Sequence, residues 1–138
     1  MNRTALFLSF LLLSLPAFAA SSKSCHEGDT ERGCASWYNE DTRTASGEKF
    51  DRHKFTAAHR SFPFGTVIRV TNRVSGRHVD VRINDRGPWR KDRILDVSEA
   101  VAIMLEMKKP GVIPVEIKVL KVGDGALKKK KHKGWWLW

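Results

Sequence analysis

The sequence predicts a small, mainly β domain closed as a barrel, with one or two short helices. Three observations carry that expectation. Two stretches alternate apolar and polar residues with period two, a β-branched run joins the first of them through a glycine turn, and only one segment spaces its apolar residues as a helix does. Many short strands, one helix and tight turns within about 90 residues suggest a small β-barrel.

In chain order, Val67–Thr71 is a short β-branched run. Gly76 turns the chain into Arg77–Ile83, where Val79, Val81 and Ile83 alternate with Asp80 and Arg82, the pattern of a strand with one buried face. The segment Val97–Met107 reads as the helix. Asp96 and Glu99 have capping-box spacing ahead of it, and Val101, Ala102 and Leu105 supply an apolar face. Around Pro114, Ile113, Val115, Ile117 and Val119 alternate with Glu116 and Lys118, a second strong strand.

Composition bounds the rest. A chain of 138 residues with 41% hydrophobic content holds one domain with a modest core. Its two cysteines are too few for a cysteine-rich scaffold or a four-ligand zinc site. The 25 Lys+Arg against 15 Asp+Glu give a net charge of +10 and point to polyanionic surroundings. Residues 1–19 read as a signal peptide: Arg3, the apolar run Ala5–Leu15, then Pro16 and Ala17-Phe18-Ala19. That run falls short of the ~20 apolar residues a membrane span needs. Export places the protein in the periplasm or outside the cell and argues against nucleic acid as a partner. It leaves anionic wall polymer and lipid head groups.

In an oxidising compartment Cys25 and Cys34 are a disulfide candidate worth about 2–3 kcal/mol through loop closure, with two unpaired thiols as the alternative. Ser22-Lys23-Ser24 before Cys25 does not suit lipid attachment, so no lipoprotein is expected. The expected organisation is a signal peptide at 1–19, a polar leader at 20–32, a barrel at 33–120 and a basic, Trp-rich tail at 121–138. The tail combines Lys128–Lys131 and Lys133 with Trp135, Trp136 and Trp138, a pairing suited to an anionic membrane surface or wall polymer.

Among residues that could carry chemistry, Asp85 stands out. It continues the phase of Val79, Val81 and Ile83, so it is expected on their face, at the barrel rim where Arg86-Gly87-Pro88 turns the chain. A carboxylate there serves either as a general acid or as a structural group bonded to turn amides. His59 after Thr56-Ala57-Ala58, Glu48 in a polar turn, and Asp96 before the helix each have a plain structural reading as well. No His/Cys/Glu cluster has metal-ligand spacing, and no nucleophile elbow or phosphate loop is present in the sequence, so no metal or cofactor is expected.

Six ordered motifs give these residues a common context: Ala35-Ser36-Trp37-Tyr38, Thr44-Ala45-Ser46-Gly47-Glu48, Thr56-Ala57-Ala58-His59, Arg69-Val70-Thr71-Asn72, Val81-Arg82-Ile83-Asn84-Asp85-Arg86-Gly87-Pro88 and Leu95-Asp96-Val97-Ser98. Together, over 33–120, they resemble the RlpA-like (rare lipoprotein A) family, whose domain is a six-stranded double-psi β-barrel. The resemblance implies a monomeric lytic transglycosylase acting on peptidoglycan strands and leaving 1,6-anhydro ends. It also implies a pocket carried by Asp85, His59 and Glu48, with Asp96 at the aspartate position of related expansin-like barrels. In that reading Asp85 is the acid/base, His59 and Glu48 orient it or the sugar, and Asp96 tunes it through like-charge repulsion. Arg82, Arg86, Trp89 and Tyr38 are the candidates for sugar and carboxylate contacts. The alternative within the same barrel is a non-catalytic, expansin-like binder or loosener of wall glycan. The segment Asn39–Arg43 is shorter than the corresponding loop of many family members, and no sporulation-related repeat follows the barrel.

Overall fold

The computed structural model describes residues 28–40 and 42–126. The expected signal peptide, Cys25 of the disulfide candidate, and the tail 128–138 lie outside the described residues.

Six strands close into a barrel: β1 (Thr30–Trp37), β2 (Thr56–Ala58), β3 (Val67–Asn72), β4 (His78–Asp85), β5 (Leu95–Val97) and β6 (Val112–Lys121). Among the described residues one helix, α1 (Glu99–Met104), lies between β5 and β6. Around the barrel the order is β1-β5-β2-β4-β3-β6. Two pairs, β1/β5 and β2/β4, are parallel; the remaining four contacts are antiparallel. This is the double-psi β-barrel that the motifs imply.

The alternating stretches form β3, β4 and β6. Val79, Val81 and Ile83 of β4 and Ile113, Val115, Ile117 and Val119 of β6 all face the core. Ile68 and Val70 of β3 complete that wall, with no exposure at either residue. Each such side chain stabilises the fold by about 1.5–3 kcal/mol when fully buried. The β3–β4 hairpin turns at Gly76, whose positive φ of 76° favours a residue without a Cβ. Asn72 holds the turn: its side-chain oxygen accepts from the Val74 amide at 2.9 Å, and its Nδ2 donates to the Leu105 carbonyl at 2.9 Å.

The barrel begins before Gly33. Thr30, Glu31 and Arg32 pair with Lys118, Ile117 and Glu116, which draws the end of the polar leader into β1. Gly33 sits against Ile94, where an added Cβ would come within 2.7 Å of the isoleucine side chain. Past β6, Val122 packs against the core. The Gly123 amide donates to Thr66 Oγ1 and the Gly125 amide to the Phe64 carbonyl, each at 3.0 Å.

The helix differs from expectation. It starts at Glu99, with Ser98 as its N-cap, and is only six residues long. Asp96 cannot cap it because Leu95–Val97 is committed to β5, paired with β1 on one side and β2 on the other. Ser98 makes no capping hydrogen bond from its side chain; its hydroxyl donates to the Lys54 carbonyl at 2.6 Å. The expected apolar face holds, since Val101, Ala102 and Leu105 are fully buried.

Candidate active site

The site forms where β2 lies between β4 and β5. Ala58 is the register partner of Asp85 on one neighbour and of Asp96 on the other. Two acids 11 positions apart in sequence thus flank one small residue, on backbones separated from it by the ~4.8 Å strand spacing. Leu95 and Val97 point into the core, so Asp96 between them faces outward, as does its cross-strand partner Ala58.

Asp85 reaches the same outer face by a bulge. Ala57 pairs with Ile83 but Ala58 pairs with Asp85, leaving Asn84 as an extra residue on β4. The expectation that Asp85 shares the face of Val79, Val81 and Ile83 fails here, because the extra residue shifts the alternation by one. The acid leaves the core side and is half-buried at the end of β4.

The Asp85 carboxylate is held asymmetrically. Its Oδ1 accepts from the Ala45 and Arg86 amides, each at 2.8 Å. Its Oδ2 accepts from the Tyr38 hydroxyl at 3.3 Å. With Oδ1 engaged by two N–H groups that can only donate, a proton carried by this group belongs on Oδ2. Tyr38 follows β1, and its amide donates to the Val97 carbonyl at 3.0 Å. Burial, and then the charge and hydrogen bond of Asp85, push the phenol well above its ordinary pKa, with Asp96 and Glu40 adding to the effect. Tyr38 therefore remains an O–H donor throughout the physiological range.

Asp96 is largely buried, and that burial raises its pKa, while Arg93 and a hydrogen bond from Ser36 oppose the rise. Of these causes, desolvation by burial is the largest. Arg93 Nε stands 3.6 Å from Asp96 Oδ1, an ion pair beyond hydrogen-bond reach. Among the described residues neither atom finds a hydrogen-bond partner. Arg93 Nη1 instead donates to Ser36 Oγ at 2.6 Å.

Glu48 and His59 support the site from two sides. Glu48 receives both nitrogens of Arg82, at 2.7 and 2.9 Å, and Asn84 Nδ2 at 3.2 Å. The turn 44–48 is thereby fastened to the bulge next to Asp85. The ring of His59 is buried and stacked on Phe62 at 3.7 Å. Its Nδ1 accepts from the Ser61 and Phe62 amides, which leaves Nε2 as the protonated nitrogen facing Glu31 Oε2 at 3.3 Å. Its link to Asp85 is through the backbone, where the His59 amide donates to the Asp85 carbonyl at 3.2 Å.

The expected binding residues fall into two groups. Arg82 is tied to Glu48. Arg86 is tied by Nη1 to the His59, Phe62 and Asp85 carbonyls and lies 3.8 Å over the Phe64 ring. Burial lowers the Arg86 pKa and the Asp85 charge opposes it. Both arginines are thus engaged by groups of the chain itself. Trp89, by contrast, is 84% exposed and offers a free ring face just beyond Asp85. Arg60 braces that loop, donating to the carbonyls of Pro88, Arg90 and Arg93. Ser36, Ala45 and Asn84 lie within the ordered motifs without having been singled out for the site, and Arg60 and Arg93 lie outside them, although Arg93 stands three residues before Asp96.

Fold and site together define a closed double-psi β-barrel in which Tyr38, Asp85 and Asp96 gather around Ala58. A family model described as lytic transglycolase matches residues 30–117, and the chain belongs to that family. A protein of Aquifex aeolicus named probable endolytic peptidoglycan transglycosylase RlpA is 50% identical over 95 residues, covering 67% of this chain and 42% of that protein. The Campylobacter jejuni protein named endolytic peptidoglycan transglycosylase RlpA is 39% identical over 100 residues, covering 70% of this chain and 36% of that protein. The chain thus spans less than half the length of these curated relatives. Among solved structures, Streptomyces papain inhibitor aligns with a TM-score of 0.59 at 20% identity, over 69% of this chain and 97% of that one. A Clavibacter michiganensis expansin mutant in complex with cellohexaose aligns with a TM-score of 0.56 at 21% identity, over 67% and 51%. These two likenesses concern the fold.

Proposed function

We propose that the chain is an exported peptidoglycan lytic transglycosylase that cleaves the bond between N-acetylmuramic acid and N-acetylglucosamine and leaves a 1,6-anhydro end. Family membership supports the class of reaction. The observation that carries the assignment of roles is the asymmetric hold on Asp85: two amides on Oδ1, a tyrosine hydroxyl on Oδ2.

In this reading Asp85, in its acid form, delivers the Oδ2 proton to the glycosidic oxygen as the bond from the muramic C1 breaks. The carboxylate then takes the proton of the same sugar's 6-hydroxyl as that oxygen attacks C1. One C–O bond breaks, one forms, and the proton returns to Asp85, so a single carboxyl completes the cycle. A hydrolase of the usual kind needs two carboxylates, one as acid and the other as base or nucleophile. Tyr38 positions Oδ2, Glu48 with Arg82 and Asn84 fixes the turn that supplies the Ala45 amide, and Asp96 with Arg93 sets the field beside Tyr38. His59 acts as a positioning residue through its backbone and its packing on Phe62. Trp89 supplies a stacking face for a sugar ring.

The test is to incubate the protein with purified glycan strands and analyse the products by mass spectrometry. Anhydro ends are expected from the native chain. Asp85→Asn keeps an Oδ1 acceptor for both amides and should retain the fold while losing about 100-fold or more in rate, the scale of a lost general acid. Binding of strands without new ends from the native chain would replace this reading with that of a non-catalytic glycan binder.

A further inference from the structure

A depression of about 550 Å³ is lined by Asn39, Lys49, Phe50, Asp51, Arg52 and Lys54. Its volume falls within the ~300–1,000 Å³ of small-ligand sites. Three of the six lining residues are cations and one is an acid. The cations are loosely engaged: Arg52 stands 3.8 Å from Glu99 and Lys54 3.9 Å from Asp51, and their side chains are 53% and 67% exposed. Lys49 is exposed as well. The Phe50 ring sits 4.7 Å from the ring of Tyr38, whose hydroxyl binds Asp85. One aromatic pair therefore connects the basic depression, through Phe50, to Asp85, through the Tyr38 hydroxyl.

We propose that this depression is a subsite for a carboxylate-bearing substituent of the glycan, held by Lys49, Arg52 and Lys54 while the sugar backbone lies along the Tyr38–Phe50 wall. The proposal rests on the reading of the chain as a peptidoglycan-active protein and adds the charge of the substrate group that it selects. Two sources supply that chemistry: the lactyl carboxyl of the muramic residue itself and the carboxylates of an attached stem peptide. Either would meet a net positive surface with an apolar floor, where ammonium and guanidinium groups can exchange weak internal partners for the ligand.

The experiment measures binding of the full chain carrying Asp85→Asn, so that strands are not consumed, to four probes: peptide-free glycan strands, peptide-bearing strands, and each of these with its carboxyls amidated by carbodiimide and methylamine. Untreated strands should bind about tenfold more tightly than amidated ones at low salt, and the ratio should shrink as salt rises, as expected of exposed ion pairs. Lys49→Gln/Arg52→Gln/Lys54→Gln should abolish the ratio, with each single substitution reducing it and the melting temperature near the parent's. A ratio seen with peptide-free strands assigns the lactyl carboxyl; one confined to peptide-bearing strands assigns the peptide. Equal binding of treated and untreated strands, an unchanged ratio in the triple variant, or no binding of untreated strands overturns the proposal. Failure of the native chain to form anhydro ends would sink the catalytic reading alone, because the binding ratio is measured without turnover.

Discussion

The hydroxyl of Tyr38 donates to Asp85 Oδ2 at 3.3 Å, joining the end of β1 to the end of β4 across 47 positions of sequence. Tyr38 has one proton to give, and its raised pKa keeps that proton in place. Removing the hydroxyl leaves Oδ2 without its orienting donor but preserves the ring against Phe50. Tyr38→Phe should therefore lower kcat by about tenfold, the order of a hydrogen bond to a charged group, and leave KM within about twofold. The measurement is steady-state release of anhydro ends; an unchanged kcat would remove Tyr38 from the positioning of Asp85.

Asp96 gives a prediction in pH. Burial raises its folded-state pKa above the unfolded value, so between the two values the folded chain holds more protons than the unfolded one. The contribution of the carboxyl to stability is full below the unfolded pKa and declines as pH rises through the raised one. The stability of the native protein minus that of Asp96→Asn should thus fall as pH climbs from the acid side through the carboxylate range, then level off. Urea unfolding at a series of pH values reads this directly. A difference that rises with pH would mean that Arg93 and Ser36 outweigh burial.

Glu48 and Arg82 test whether the 44–48 turn is held by charge. The pair is bidentate, but Arg82 is 39% exposed, and solvent screening reduces its worth. A double-mutant cycle on Glu48→Gln and Arg82→Gln should give a coupling energy of about 1 kcal/mol. Both single variants should also slow turnover, because the Ala45 amide that engages Asp85 belongs to this turn. A coupling near zero together with full activity would show that the turn holds without the pair.

How much of this was legible in the sequence depends on how each element is buried. β3, β4 and β6 each present one face to the core over six or more residues, and their alternation is plain. β2 and β5 have three residues apiece, too few for a period to show. Leu95-Asp96-Val97 also precedes a serine and a glutamate, so it looked like the start of a helix when it is the strand that brings Asp96 beside Ala58. For Asp85 the residue was legible and its direction was not, because a single unpaired Asn84 reverses the face and nothing local in the sequence marks the bulge. The neighbours of Asp96 were hidden for a related reason: Ser36 meets it through parallel pairing of β1 with β5, a contact between residues 60 positions apart.

The segment after β6 offers a last prediction. The expected barrel stops at residue 120 and the tail begins at 121, yet Gly123 lies directly on the 64–66 backbone. A Cβ there would stand 2.2 Å from the Phe64 carbonyl oxygen and 2.4 Å from the Thr66 nitrogen. Backbone cannot move aside as the end of a flexible side chain can, so Gly123→Ala must lift the segment. That lift breaks the Gly123 bond to Thr66 Oγ1 and the Gly125 bond to Phe64, and uncovers the face on which Val122 packs. The expected cost is about 1–3 kcal/mol, the range for overpacking a closed contact. Lys121→Ala, at an exposed position two residues earlier, should change stability by no more than about 0.5 kcal/mol. Urea unfolding of both variants makes the comparison, and equal stabilities would show that the barrel ends with β6 and that residues 122–125 do not contribute to it.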